Sequence, residues 1–352
     1  MSTTLSLSPD AIAEVDISRQ VTETLGLHDH LRDALWRVES AELTPHDSPG
    51  GLVVAGMGGS SIGGALACAA LGDRASRPIM LAQDYALPSW TTPDTTVLCA
   101  SYSGNTEETL AAYTGAQALG ATTIVATTGG KLAELARADH VPVIPFPGGF
   151  QPRAAVGYSL VAALEVAALC GAAEQVRSEI DVAAAHAEQL AARWSPDAGG
   201  NNLAKTLARA LHSTIPQVCG AGLTVPVAYR WKTQINENAK MPAFASDLPE
   251  VDHNEIAGWD GARALGPFSA VFLDDSDLHP RVKQRIELTR GLIASRGAPT
   301  FRVETDGQTR LERLVSVLLL GDLVSLYMAV LRGVDPAPVE TIDSLKAALN
   351  QG

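Results

Sequence analysis

The chain has 352 residues, of which 39 are acidic and 26 are Lys or Arg, so its formal charge is −13. A protein that grips a polyanion needs a basic stripe or tail, and no run of four Lys/Arg occurs here, which argues against nucleic acid as a partner. With 46% hydrophobic and 18% charged residues, and length for roughly two domains of about 150 residues, the composition is that of a folded globular protein.

Residues 1–45 read as N-terminal helices packed on the first of two α/β units. Apolar runs at 52–55 and 96–100 are each followed by a Gly/Ser-rich turn and a helix-like segment, the alternation that builds a parallel α/β sheet. A strand at 122–126, a helix around 132–138 and a strand at 141–144 continue it. A Pro/Gly cluster at 145–152 then opens an Ala/Leu/Val helix over 154–170. Residues 173–194 are Ala-rich at helical spacing, and S-P-D-A-G-G-N-N at 195–202 is the strongest linker signal. The rhythm resumes with a strand at 215–219, a helix over 225–240, a strand at 270–273, a helix over 279–296, a strand at 300–303 and helices to the end. The expected division is N-terminal helices over 1–45, a first α/β domain over 46–171, a helix and linker over 172–202, a second α/β domain over 203–335 and a C-terminal helix over 336–352.

Cys68, Cys99, Cys170 and Cys219 are isolated in apolar stretches, with no CxxC and no secretory signal ahead of them. They read as reduced packing thiols of a cytoplasmic protein. The run 314–331 is long enough to cross a bilayer but carries Gly321 and Asp322 at its middle. An Asp there costs about 2.5–3.5 kcal/mol in lipid, so a core or subunit-interface helix is expected and no membrane partner.

Two loops at strand ends carry chemistry. The first is Gly56-Met57-Gly58-Gly59-Ser60-Ser61-Ile62-Gly63-Gly64, between a strand and a helix. Its glycines let the backbone approach a ligand while the helix N-terminus adds partial positive charge. As a dinucleotide fingerprint it is incomplete: Ser61 stands at the third glycine of G-x-G-x-x-G, and the P-loop's Lys-Ser/Thr is absent. Asp84, as a ribose-binding acid, keeps a nicotinamide reading open. The second loop, Ser101-Tyr102-Ser103-Gly104-Asn105-Thr106, sets three hydroxyls and a glycine at the carboxyl end of a strand, where open α/β sheets bind ligands. A phosphate offers only acceptors, and a ring of O–H and N–H donors at a helix start matches it. A purely structural role, with Asn105 as helix cap and Glu108 completing a capping box, leaves Ser101, Ser103 and Thr106 unexplained.

On a helix over 225–240, a rotation of about 100° per residue puts Arg230, Thr233, Gln234, Glu237 and Lys240 on one side and Ala228, Trp231, Ile235 and Ala239 on the other. The apolar side must be core; the polar side is either solvated or one wall of a site. The segment that follows holds Glu250, His253, Asn254 and Glu255 without apolar periodicity, as a chemistry-bearing loop does. Asp252, His253 and Glu255 have no H-E-x-x-H, no second nearby His and no Cys partner, so neither a metal nor another cofactor is expected.

S-x-S-G-N-T after a strand is similar to the phosphate-binding loop of sugar isomerase (SIS) domains, and the loop 56–64 looks like their glycine loop. Two such units, with Asn236-Glu237-Asn238-Ala239-Lys240 and His253-Asn254-Glu255-Ile256, resemble the bifunctional phosphoglucose/phosphomannose isomerases over about residues 50–350. The resemblance implies two SIS-type three-layer αβα domains with mainly parallel sheets, plus N- and C-terminal helices. It implies a metal-independent aldose–ketose isomerase converting glucose 6-phosphate, and mannose 6-phosphate as a further epimer, to fructose 6-phosphate through a cis-enediol. Glu237 would move the proton and His253 would assist ring opening, with Arg153 and Lys346 stabilising the enediolate. Gly58, Gly59, Ser60, Ser101, Ser103 and Thr106 would hold the phosphate. A second subunit contributes to the site in this family, which implies a homodimer, and the C-terminal helix contributes too. These residue types suit such chemistry, since burial can tune a carboxylate toward neutrality and histidine titrates near working pH. Ser61 and Ala65 depart from the glycine and aspartate that archaeal relatives tend to carry, and Asp335-Pro336-Ala337-Pro338 lies in the region that admits the mannose epimer. The alternative is a non-catalytic SIS protein that binds phosphosugar and regulates a partner, for which the hydroxyl loop alone suffices. In either case an acidic protein repels a dianionic ligand at long range, so recognition must be local.

Overall fold

The structure is a computed structural model describing residues 6–349. Helices α1 (Pro9–Val15), α2 (Gln20–Leu25) and α3 (Leu27–Ser40) precede a first unit. It comprises β1 (Leu52–Ala55), α4 (Gly58–Leu71), β2 (Ile79–Ala82), β3 (Thr96–Ser101), α5 (Glu107–Leu119), β4 (Thr122–Thr127), α6 (Gly130–Ala138), β5 (Val143–Pro145) and α7 (Val156–Leu169). After α8 (Arg177–Trp194) and α9 (Leu203–Leu211) come β6 (Ile215–Ala221), α10 (Val225–Ala239), β7 (Phe244–Leu248), α11 (Trp259–Leu265), β8 (Phe268–Asp274), α12 (Pro280–Ser295) and β9 (Thr300–Glu304). Helices α13 (Arg310–Arg332) and α14 (Glu340–Leu349) follow.

Both sheets are parallel, in the orders β2-β1-β3-β4-β5 and β7-β6-β8-β9. Strands β1 and β3 are buried along their whole length, as central parallel strands covered on both faces are. Leu52, Val54 and Leu98 meet α4 and α7, whereas Val53, Val97 and Cys99 meet α5 and α6. In the second unit Val218 and Val271 face α10 and α13, while Cys219 and Phe272 face α11 and α12. The architecture is therefore α/β with helices on both faces of each sheet. In each sheet the chain begins inside and steps outward in both directions, so a crevice opens between β1 and β3 and another between β6 and β8.

Helix α13 joins the two units. A reciprocal cap starts it: Thr309 Oγ1 accepts from Glu312 N–H at 3.1 Å and Glu312 Oε2 accepts from Thr309 N–H at 2.7 Å; Gly333 at φ 65° ends it. Every residue from Leu311 to Leu331 is buried, and the helix packs on α10, α8 and α9 while reaching α2 and α4. It is the only helix among the described residues long and apolar enough to cross a membrane, and it lies wholly inside the protein, the core location expected from Asp322. Asp322 is paired with Arg230 of α10. A Cβ on Gly321 would collide with the Trp231 indole, whose Nε1–H donates to Val317 O at 2.8 Å, so α10 and α13 touch almost backbone to ring.

The apolar side of α10 is core as expected, with Ala228, Trp231, Ile235 and Ala239 all inaccessible. On its polar side Arg230 and Gln234 are buried, Thr233 and Glu237 half-buried and Lys240 exposed, so the face is a largely covered wall rather than a solvated one. Strands β2 and β7 are absent from the expected set: both are short edge strands, and Phe244-Ala245-Ser246-Asp247-Leu248 has no apolar run to mark it. All four cysteines are unpaired; burial pushes the Cys99 and Cys219 thiols up to about 12 and that of Cys68 to about 11, as packing thiols require.

Candidate active site

The glycine and hydroxyl loops stand side by side at the first crevice because β1 and β3 are neighbours. Helix α4 begins at Gly58 with no side-chain cap, so its first turn presents bare backbone to the crevice. A Cβ on Gly59 would approach Pro152 O to 2.8 Å, so only glycine lets this turn lie against the segment carrying Arg153. Ser60 Oγ accepts from Tyr102 N–H at 3.1 Å and stitches the two loops together.

Within the second loop, Ser101 Oγ and Thr106 Oγ1 lie 2.9 Å apart, and Ser101 Oγ also accepts from Gly104 N–H at 3.1 Å. Ser103 Oγ accepts from Asn105 N–H at 3.2 Å. The capping-box role for Asn105 and Glu108 is not adopted: the cap position of α5 is Thr106, and Asn105 Oδ1 instead accepts from Lys131 N–H at 3.0 Å. Tyr102, which sequence reasoning passed over, ties this loop to the Pro/Gly cluster. Its hydroxyl donates to Pro147 O at 3.0 Å and accepts from Phe150 N–H at 2.9 Å.

Arg153 and Glu237 come from different units and meet. Arg153 Nη1 lies 3.6 Å from Glu237 Oε2, the arginine side chain 6% exposed and the glutamate 31%. Arg153 Nε donates to Asn238 Oδ1 at 2.7 Å, and Nη2 donates to Pro336 O at 2.7 Å and Ala337 O at 3.0 Å. A guanidinium has five N–H groups; those bonds occupy the three on Nε and Nη2. Nη1 keeps only a long 3.4 Å contact to Gln151 Oε1 and faces the carboxylate. Burial lowers the Arg153 pKa, with Glu237 opposing. Lys240, in the left-handed region at φ 53° where α10 ends, donates to Glu237 O and, at 3.1 Å, to Pro336 O. Burial and then Arg153 hold its ammonium below the usual lysine range.

Around this pair lies a cavity of about 610 Å³, large enough for a hexose phosphate. Gly58, Gly59 and Ser61 form one wall; Thr233, Gln234 and Glu237 of α10 form another. Asp247, Glu250 and Glu255 also line it, Glu255 accepting from Ser246 Oγ and, at 2.6 Å, from Gln217 Nε2. Asp247 lies on the unforeseen strand β7. Ser101, Ser103 and Thr106 stand beside this cavity, not on its wall. His253 is exposed on the turn 250–253, and Lys346 is exposed on α14; neither lines the cavity.

The second crevice is filled by the protein itself. Asp275, just past β8, accepts from Arg313 Nε at 2.8 Å, Asp277 pairs with the same guanidinium, and Asp274 pairs with Arg302 at 2.6 Å. Thr224 Oγ1 donates to Leu273 O at 2.9 Å and ties the loop after β6 to the end of β8. These ion pairs occupy the carboxyl end of β8, whereas the cavity that holds Arg153 and Glu237 opens against α4 and α10.

Residues 200–349 match the family described as bacterial phospho-glucose isomerase C-terminal SIS domain. The chain is 42% identical over 301 residues to the bifunctional phosphoglucose/phosphomannose isomerase of Caldicellulosiruptor bescii, covering 85% of this chain and 89% of that one. It is 34% identical over 322 residues to the protein of the same name from Aquifex aeolicus, covering 90% and 94%. Among solved structures, a hypothetical protein of Thermus thermophilus superposes with a TM-score of 0.74 at 15% identity, over 97% of this chain and 93% of that one, a likeness of fold alone. With these proportions and the two parallel-sheet units in place, the chain belongs to the bifunctional phosphoglucose/phosphomannose isomerase family.

Proposed function

We propose that the protein is an aldose–ketose isomerase that interconverts glucose 6-phosphate, and mannose 6-phosphate, with fructose 6-phosphate through a cis-enediol. The observation that carries this is the Glu237 carboxylate facing the one unsaturated edge of a buried arginine, in a cavity whose opposite wall is the N-terminus of α4. The phosphate belongs at the N–H groups of the α4 turn, and the hydroxyls of Ser101, Ser103 and Thr106, which stand just beyond that wall, meet it when the loop turns them inward. The carboxylates of Asp247, Glu250 and Glu255 repel a phosphate and accept from sugar hydroxyls, so they orient the ligand with its polyol toward them. Glu237 takes the proton from C2 of the open aldose, and the electron pair left on carbon forms the C1–C2 double bond as charge develops on the carbonyl oxygen O1. Arg153 Nη1 stabilises that charge. O1 takes up the proton that O2 gives up, and return of the C2 proton to C1 then leaves a hydroxyl at C1 and a carbonyl at C2, which is the ketose.

His253 and Lys346 complete the reading as residues delivered across a homodimer or by the C-terminal helix. What supports that arrangement is the likeness to the isomerase family; on their own chain both residues are exposed and off the cavity wall. A cytoplasmic setting fits the four unpaired cysteines. A phosphosugar sensor needs only the hydroxyl loop and would give Glu237 and Arg153 no reason to meet. The test is Glu237→Gln, assayed with glucose 6-phosphate and mannose 6-phosphate, with and without a chelator. Turnover should fall by about 10³-fold or more while phosphosugar binding persists, and the chelator should change nothing. Near wild-type turnover in the variant refutes the assignment of Glu237, and chelator-sensitive activity refutes the metal-free chemistry.

A further inference from the structure

Arg153 can stabilise charge only if its guanidinium stays put, and nothing covalent keeps it there. Its Nε–H is received by Asn238 Oδ1 at 2.7 Å, and Asn238 is 3% exposed. The Asn238 amide is itself fixed at its other end, since Nδ2 donates to Ser325 Oγ at 2.9 Å and to Gln234 Oε1 at 3.2 Å. Ser325 Oγ in turn donates to Asp322 O at 2.7 Å, one turn back along α13. The main chain at Arg153 is held from the same two helices. Arg230 Nη2 donates to Arg153 O at 2.8 Å and pairs with Asp322 Oδ2 at 2.7 Å. Side chain and carbonyl of one arginine are thus both anchored by α10, and both anchors end on α13 within residues 322–325.

We propose that Asn238 is the positioning residue for Arg153, an inference that rests on the isomerase reading. By taking the Nε–H it fixes the plane of the guanidinium, and with Nη2 committed to Pro336 and Ala337 it leaves Nη1 as the edge turned to Glu237 and the reacting oxygen. Asn238 does not line the cavity, and among the described residues its side chain bonds only Arg153, Gln234 and Ser325. Its neighbour Glu237 does the chemistry, and the next residue on the helix aims the cation.

The wild type, N238A, N238D and S325A are compared by kcat and KM for glucose 6-phosphate. A second readout is independent of turnover: solvent exchange of the Arg153 Nε–H, observed by NMR and assigned by its loss in R153K. N238A should lower kcat by about 10- to 100-fold, the cost of misplacing a charge-stabilising group by about an ångström, with KM within about threefold of wild type. Its Arg153 Nε–H should lose protection. N238D keeps an acceptor for Nε and should retain protection and most of kcat, which a role in packing alone would not predict. S325A, which frees the far end of the amide, should fall between. An N238A enzyme with wild-type kcat and a protected Nε–H overturns the proposal, as does equal damage in N238A and N238D. If N238A does not fold, N238D and S325A decide: a fully protected Nε–H and unchanged kcat in S325A overturn it. A wild type without turnover refutes the isomerase reading, and the exchange measurement still tells whether Asn238 holds Arg153.

Discussion

Removing the Asp322 carboxylate should be a costly truncation, because it orphans a buried guanidinium. The Arg230 and Asp322 side chains are 2% and 7% exposed, and the arginine reaches the carboxylate through contacts at 2.9, 3.3 and 2.7 Å. In Asp322→Ala the guanidinium keeps only the Arg153 carbonyl. Opposite charges about 4 Å apart at an effective dielectric of about 20 are worth about 4 kcal/mol, and breaking a buried pair costs about 3–5 kcal/mol. That is a large part of a total stability of about 5–15 kcal/mol. With an unfolding entropy of about 2.1 cal/mol/K per residue, the loss lowers Tm by about 4–7 °C. The double variant Arg230→Met/Asp322→Leu removes both charges from the same apolar surroundings and should recover most of the loss. Thermal unfolding followed by calorimetry or circular dichroism measures all three proteins. A single variant melting within about 1 °C of wild type, or a double variant no better than the single, refutes the argument that an orphaned charge dominates the cost.

Two further outcomes follow from named contacts. Burial lowers the His30 pKa from 6.5 to about 4, its ring packed on Phe150 and Tyr158. The unfolded chain takes up that proton near 6.5 while the folded chain holds the ring neutral down to about 4, so stability falls as pH drops through this window, by up to about 3 kcal/mol. Urea unfolding across pH should show a shallower slope in His30→Leu; an unchanged slope removes His30 from the account. Gly59→Ala drives a Cβ to 2.8 Å from Pro152 O and must shift either α4 or the Arg153 segment, so kcat should fall by about tenfold or more. A variant with wild-type kcat would show that the close approach is not needed.

The central strands were legible because β1, β3, β4, β6 and β8 are buried over most of their length and so carry apolar stretches such as 52–55 and 270–273. Edge strand β7 was not, because one side meets solvent and its residues serve the cavity: Asp247 belongs to the site and would have been a poor strand marker in any sequence. The polar face of α10 was visible, but its destination was not. Periodicity places Arg230, Gln234 and Glu237 together, and only the docking of α13 distinguishes a solvated face from a buried wall. Asp322 was readable as a residue that spoils a membrane span; its partner, 92 positions away, was not. Tyr102 and Asn238 escaped for the same reason, since both act through long-range hydrogen bonds that no local spacing announces. The positions of His253 and Lys346 are likewise beyond local pattern, because exposure on one chain says nothing by itself about which cavity a side chain reaches.

The occupied crevice of the second sheet sets the stoichiometry. Two topologically matched units would suggest two ligands per chain, yet Arg313 sits between Asp275 and Asp277 where the second would enter. On the proposed reading each chain takes one phosphosugar, at the first crevice, and a sigmoidal binding response would then arise between chains rather than within one.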